Sequence, residues 1–144
     1  MVIQNRVRGT RRARVDRLVD TYLRAEAAAD VDTILSLATE DVDYEHVGFE
    51  AGNVSGVNAV RALYQHEFAN VVHERDTTIR RLYGDGFVVD ERLWESRVIG
   101  RLGPYVGGGK RLRHRVLRIF ELRRDQVARV SIYPDLAAIM RQLS

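Results

Sequence analysis

The pattern of apolar and polar positions changes its period near Asn70. Before that point Val15, Leu18, Val19, Tyr22, Leu23 and Ala27 recur at three- and four-residue spacing, the stripe of an amphipathic helix turned to a core. Asp30-Val31-Asp32 separates it from a short second helix over Asp32 to Leu37, with Asp32 placed as its N-cap. Glu40 to His46 then alternates as a strand, with Val42, Tyr44 and His46 on one face and Asp41, Asp43 and Glu45 on a wet one. A third helix is predicted over Val57 to Asn70. Beyond it, alternation takes over. Thr77 to Tyr83 and Phe87 to Ile99 read as a hairpin around Gly84-Asp85-Gly86, a turn chemistry suited to positive backbone angles.

In the second arm of that hairpin Val88, Asp90, Arg92, Trp94, Ser96 and Val98 share a face. In the long strand from Lys110 to Leu122, Leu112, His114, Val116, Arg118 and Phe120 line up together. A polar turn at Arg123 to Gln126 leads to Val127 to Tyr133, and Pro134-Asp135 opens a closing helix, Leu136 to Leu143, capped by Asp135. These elements predict an α+β fold: a cone-shaped, curved, mostly antiparallel sheet wrapped around three N-terminal helices, with a short C-terminal helix and one cavity between sheet and first helix. Residues 1–10 are expected as a flexible N-terminal arm and 11–144 as a single domain. The sheet's other face mixes Val89, Leu93, Leu117 and Ile119 with paired charges. Packing of that face on a second copy, a homodimer, is the expectation.

A chain of 144 residues can bury a core without staples, and the absence of cysteine excludes disulfide and thiolate chemistry. Met1 to Arg17 holds no apolar run fit for a secretory signal, and no stretch approaches the roughly 20 apolar residues of a membrane span. A cytoplasmic location without a membrane partner is expected. Lys110 is the one lysine among 23 basic residues, and the net charge is +3. Arginine crowds into Arg6, Arg8, Arg11, Arg12, Arg14 and Arg17, but no aromatic residue interleaves for base stacking, so no nucleic-acid partner is expected. The four histidines show no ligand spacing; neither a metal nor another cofactor is expected. Gly107-Gly108-Gly109 opens a strand, lacks a following Lys-Ser/Thr, and reads as a flap rather than a phosphate loop.

The run from Phe120 to Leu143, with its Tyr133-Pro134-Asp135-Leu136 segment and its Arg141-Gln142-Leu143 ending, resembles the end of the SnoaL-like branch of the nuclear-transport-factor-two-like superfamily. Gly56-Val57-Asn58-Ala59-Val60 resembles that family's Gly-x-x-x-Val helix start. The resemblance runs from Arg12 to Ser144 and implies a cone fold. Its relatives include polyketide cyclases, ketosteroid isomerases, limonene-epoxide hydrolases and proteins without activity. Tyr22 resembles the isomerases' dienolate-binding tyrosine, and His46 stands where their proton-abstracting aspartate would be. Tyr44 and His46 also resemble the epoxide hydrolases' water-positioning Tyr-x-Asn pair, and Arg92 matches their arginine. Trp94 and Ile132 replace the aspartates of that relay.

The candidate catalytic residues are therefore His46 as base, His114 as acid or orienting group, Tyr22 and Tyr44 as hydrogen-bond donors, and Arg92 as charge stabiliser. Trp94, Val116 and Phe120 are candidate ligand-binding walls. Few polar groups converging in an apolar hollow suit a small hydrophobic ligand and cofactor-independent acid–base chemistry of isomerase, cyclase or hydrolase type. A non-catalytic cone that binds a ligand or a protein is the competing reading. Each polar candidate also has a structural reading: Tyr22 as core, the histidines as satisfied buried rings, and Arg92 paired with Asp90 or Asp43.

Overall fold

Helical and alternating periods fall on helices and strands in the order read from the sequence. The computed structural model describes residues 2–50 and 52–144, with side chains from Gly9 onward. Helices α1 (Val2–Ala27) and α2 (Val31–Ser36) lead into strands β1 (Ala38–His46) and β2 (Asn53–Ser55). Helix α3 (Val57–Asn70) precedes strands β3 (Val71–Gly84) and β4 (Phe87–Val98), the small pair β5 (Arg101–Leu102) and β6 (Tyr105–Val106), strands β7 (Lys110–Arg123) and β8 (Gln126–Pro134), and helix α4 (Leu136–Leu143).

Six strands form one sheet in the order β2-β1-β8-β7-β4-β3, antiparallel throughout except where β1 runs parallel to β8. Register shifts leave an extra residue in β3 between His73 and Arg75 and between Thr78 and Arg80, and in β8 between Val127 and Arg129 opposite Glu121/Leu122. Such bulges bend a sheet and increase its twist, which curls this one around the helices. Its concave face buries Val42, Tyr44, Val88, Val116, Phe120 and Val130 against Val19, Tyr22 and Leu23 of α1 and Val60 and Tyr64 of α3. A second apolar cluster, Val98, Leu112, Ile139 and Leu143, seats α4 over the far end of β4 and β7. Asp135 caps α4 by accepting from the Ala138 amide at 3.1 Å.

Ion pairs tie helix to sheet. Arg81 of β3 donates to Asp16 and Asp20 of α1 at 3.0 and 2.8 Å and to Asp90 of β4 at 3.0 Å. Asp90, wholly buried, also accepts from Nε and Nη2 of Arg92 at 2.6 and 2.8 Å, and Arg92 reaches on to Asp76.

The structure differs from the sequence reading at three places. Helix α1 begins at Val2, inside the segment 1–10 read as an arm, whose side chains before Gly9 lie outside the described residues. The N-cap of α2 is Asp30, whose side chain accepts from the Thr33 amide at 3.1 Å; Asp32 lies in the first turn and takes Arg61 at 2.7 Å instead. Strand β3 begins at Val71, six residues before the expected Thr77, because pairing with β4 extends through the polar run from His73 to Asp76. The glycine run serves a tight turn: Gly108 and Gly109 take φ of +59° and +82°, and a Cβ on Gly107 would lie 2.1 Å from the Val98 carbonyl oxygen.

Candidate functional site

The cone's mouth holds one cavity with both polar and apolar walls. Strand β1 supplies Tyr44 and His46, β4 supplies Trp94 and Ser96, and β7 supplies Leu112, His114, Val116 and Arg118. Glu26 of α1 and Glu67 of α3 enter from the helical side, while Ile132 and Ile139 close the apolar wall. The enclosed space is about 90 Å³, and about 570 Å³ with the open mouth included. A second hollow of about 250 Å³ shares Glu26, Glu67, Val71 and Trp94 with it, so the two adjoin.

Two polar groupings line this space. In the first, the Tyr44 hydroxyl donates to Glu67 at 3.0 Å, and Nδ1 of His46 lies 3.3 Å from the same carboxylate. A carboxylate only accepts, so in the neutral ring Nδ1 carries the proton and Nε2 the lone pair. His46 is further held by the Phe49 ring, 4.5 Å between centroids. Burial, and then the Glu67 charge, push the Tyr44 hydroxyl well above its ordinary pKa, so it stays a donor.

The second grouping is Arg118, Glu26, His114 and Ser96. Nη2 of Arg118 donates to Oε1 of Glu26 at 2.6 Å, and the guanidinium lies 4.6 Å from the centre of the Trp94 ring. Burial works against the Arg118 charge, but the Glu26 carboxylate outweighs it and holds the proton more firmly than usual. At His114 the Asp135 carboxylate pulls the other way but is outweighed. Burial, then the Arg118 cation, then His46, bring its pKa down to about 4, so it is neutral at neutral pH. Nε and Nη1 of Arg118, Oε2 of Glu26, Nδ1 of His114 and Oγ of Ser96 are all buried without a partner in the protein. Buried polar atoms are ordinarily satisfied, and each orphan costs about 1–3 kcal/mol. All five belong to residues that line this cavity.

Of the residues singled out in the sequence, His46, His114, Tyr44, Trp94 and Val116 line this cavity. Tyr22, Arg92 and Phe120 do not. Tyr22 is core: its hydroxyl meets that of Tyr64 at 2.5 Å, and its ring packs edge-on against Phe120 at 5.3 Å. Burial, and then the Glu26 charge, push the Tyr22 hydroxyl far above its ordinary pKa. Arg92 is consumed by Asp90 and Asp76. Glu26, Glu67, Ser96 and Arg118 were not singled out. Alternation already put Ser96 and Arg118 on inward faces, and helical spacing puts Glu26 four residues after Tyr22 and Glu67 three after Tyr64. Among the described residues, no three histidine or acidic side chains gather as metal ligands, and no helix is long and apolar enough to cross a membrane.

A curved sheet wrapped on three helices, with a mixed polar and apolar hollow at its mouth, defines a small-molecule cone domain. The chain belongs to the SnoaL-like domain family, whose model matches residues 19–130. Solved structures agree on the fold. An LEH-like epoxide hydrolase of M. tuberculosis is 22% identical with a TM-score of 0.72, over 91% of this chain and 90% of that one. TsrD from Streptomyces laurentii is 20% identical with a TM-score of 0.76, over 92% and 96%. A protein of ketosteroid isomerase-like fold from Catenulispora acidiphila, in complex with trimethylamine, is 12% identical with a TM-score of 0.72, over 88% and 91%. No curated protein matches the chain.

Proposed function

We propose that this SnoaL-like cone is an enzyme that binds a small hydrophobic, carbonyl-bearing molecule and moves a proton on it by cofactor-independent acid–base catalysis. The observation that carries the reading is an oriented imidazole and a buried cation lining one cavity: His46 held by Glu67, and Arg118 with unpartnered N–H groups. Nε2 of His46 removes a proton beside the carbonyl, and the His46–Glu67 contact fixes the ring and stabilises the imidazolium that forms. Arg118, in place of the expected Arg92, donates to the developing enolate oxygen. His114, neutral at neutral pH, orients the ligand through a hydrogen bond; of its two expected roles this is the one its charge state favours. Tyr44 anchors Glu67, Trp94 and Val116 supply apolar wall, and Tyr22 and Phe120 support that wall from behind. The protein works as a homodimer in the cytoplasm in this reading.

Cyclohexanone is a suitable first probe, since exchange of its α-protons for deuterium in D₂O is read directly by proton NMR. The protein should accelerate that exchange above buffer. Trp94, the one tryptophan, lies in the cavity wall and reports binding by its fluorescence. A probe that quenches Trp94 but exchanges no faster than in buffer would replace this reading with that of a non-catalytic binding cone.

A further inference from the structure

We infer that the Arg118–Glu26 pair, together with Ser96, recognises a ligand group presenting a hydrogen-bond acceptor beside a donor, the chemistry of a cis-amide such as a lactam, and discriminates against carboxylates. This deepens the reading above and rests on it only for where the ligand sits.

The pair meets through one oxygen and one nitrogen. Oε1 of Glu26 accepts from Nη2 of Arg118, while Oε2 of Glu26 and Nε and Nη1 of Arg118 remain buried and unpaired. Covalent geometry puts these orphaned atoms next to the two that meet. A wall with spare guanidinium N–H groups and a spare carboxylate oxygen offers donors and an acceptor together, which a group carrying both C=O and N–H can satisfy at once. A ligand with only a carbonyl satisfies Arg118 and leaves Oε2 of Glu26 unpaired. Sites built to hydrogen-bond a group reject analogues that lack it, because the buried partner is stranded. Ser96 Oγ, also buried and unpaired, can donate to the same carbonyl or accept from the same N–H.

Charge decides against the other ligand that an arginine suggests. The cavity wall carries Glu26 and Glu67 against Arg118, and His114 is neutral. Protonation of His46 would at most balance that count. A carboxylate entering this low-dielectric hollow gains no net attraction to offset its lost hydration. A neutral head keeps the whole wall satisfied.

The test uses the full chain and isothermal titration calorimetry at pH 7.5 with three probes of similar size: 2-piperidone, a lactam; cyclohexanone, the same ring with an acceptor alone; and cyclopentanecarboxylate. Hydrogen bonds to charged groups are worth about 1.5–3 kcal/mol, so 2-piperidone should bind at least about 10-fold tighter than either of the others. The double variant Glu26→Leu/Arg118→Met replaces the buried pair with apolar side chains, an exchange that buried ion pairs commonly tolerate, and should abolish the lactam's advantage. Ser96→Ala, a milder change, should weaken 2-piperidone several-fold and leave cyclohexanone less affected. Cyclohexanone or the carboxylate binding as tightly as the lactam would overturn the inference. So would a lactam preference that survives the double variant, or no binding of any probe at millimolar concentration. Binding is read here without turnover. A lactam preference without proton exchange would therefore sink the catalytic reading alone, and exchange without the preference would sink this one alone.

Discussion

Replacing His114 with glutamine should flatten part of the protein's acid sensitivity. In the folded chain the His114 pKa is brought down from 6.5 to about 4 by burial and the Arg118 cation. A histidine whose folded pKa is depressed binds its proton more readily when the chain unfolds. Its contribution is fully present above pH about 6.5 and is lost as the pH falls toward 4. At about 1.4 kcal/mol for each pH unit, the gap between those values amounts to about 3 kcal/mol. That is a large part of the roughly 5–15 kcal/mol that holds a domain folded. Glutamine fills a similar volume and takes no proton. Urea unfolding of both proteins at several pH values from 7.5 to 4 gives the comparison, since carboxylates elsewhere titrate alike in both and cancel in the difference. Wild type should lose about 3 kcal/mol relative to the variant across that window. Parallel stability curves would refute the argument, as would a His114 ring resonance that titrates near 6.5.

Other outcomes follow from the charges. Asp90→Ala should cost about 1.5–3 kcal/mol, because it removes the wholly buried carboxylate that Arg81 and Arg92 share and leaves them only the more exposed Asp16, Asp20 and Asp76; a loss under 1 kcal/mol in urea unfolding would contradict that. Light scattering at micromolar concentration should give a dimer. The outer sheet face sets half-buried Val89, Leu93, Leu117 and Ile119 among ion pairs such as Arg80–Glu91 at 2.7 Å, and a twin would bury more than about 1,000 Å² there. A monomer would refute it.

The order of elements was legible because period alone separates α3 from the strands after Asn70, and because Asp135 caps α4 with a side chain that its position announces. The start of β3 was not, since Val71 to Asp76 is extended by its partner β4 rather than by its own residues. In the site, His46 and Tyr44 could be read because β1 alternates cleanly. Arg92 and Arg118 both lie on inward faces, and alternation alone does not tell them apart. Asp90, two residues away on the same face, captures Arg92, whereas Arg118 meets its acid, Glu26, from a helix 92 residues earlier in the chain. Which arginine is left free to face a ligand is a tertiary fact.

The central claim, that His46 is the base, meets its most direct test in the exchange rate of cyclohexanone α-protons catalysed by wild type, His46→Ala and His46→Asp, each checked for normal unfolding and for Trp94 quenching by the probe. Loss of the base should lower the rate constant about 10²-fold or more in the alanine variant. The aspartate variant, whose carboxylate can accept the same proton, should recover part of it. An alanine variant that binds the probe and exchanges it at the wild-type rate would remove His46 from the mechanism.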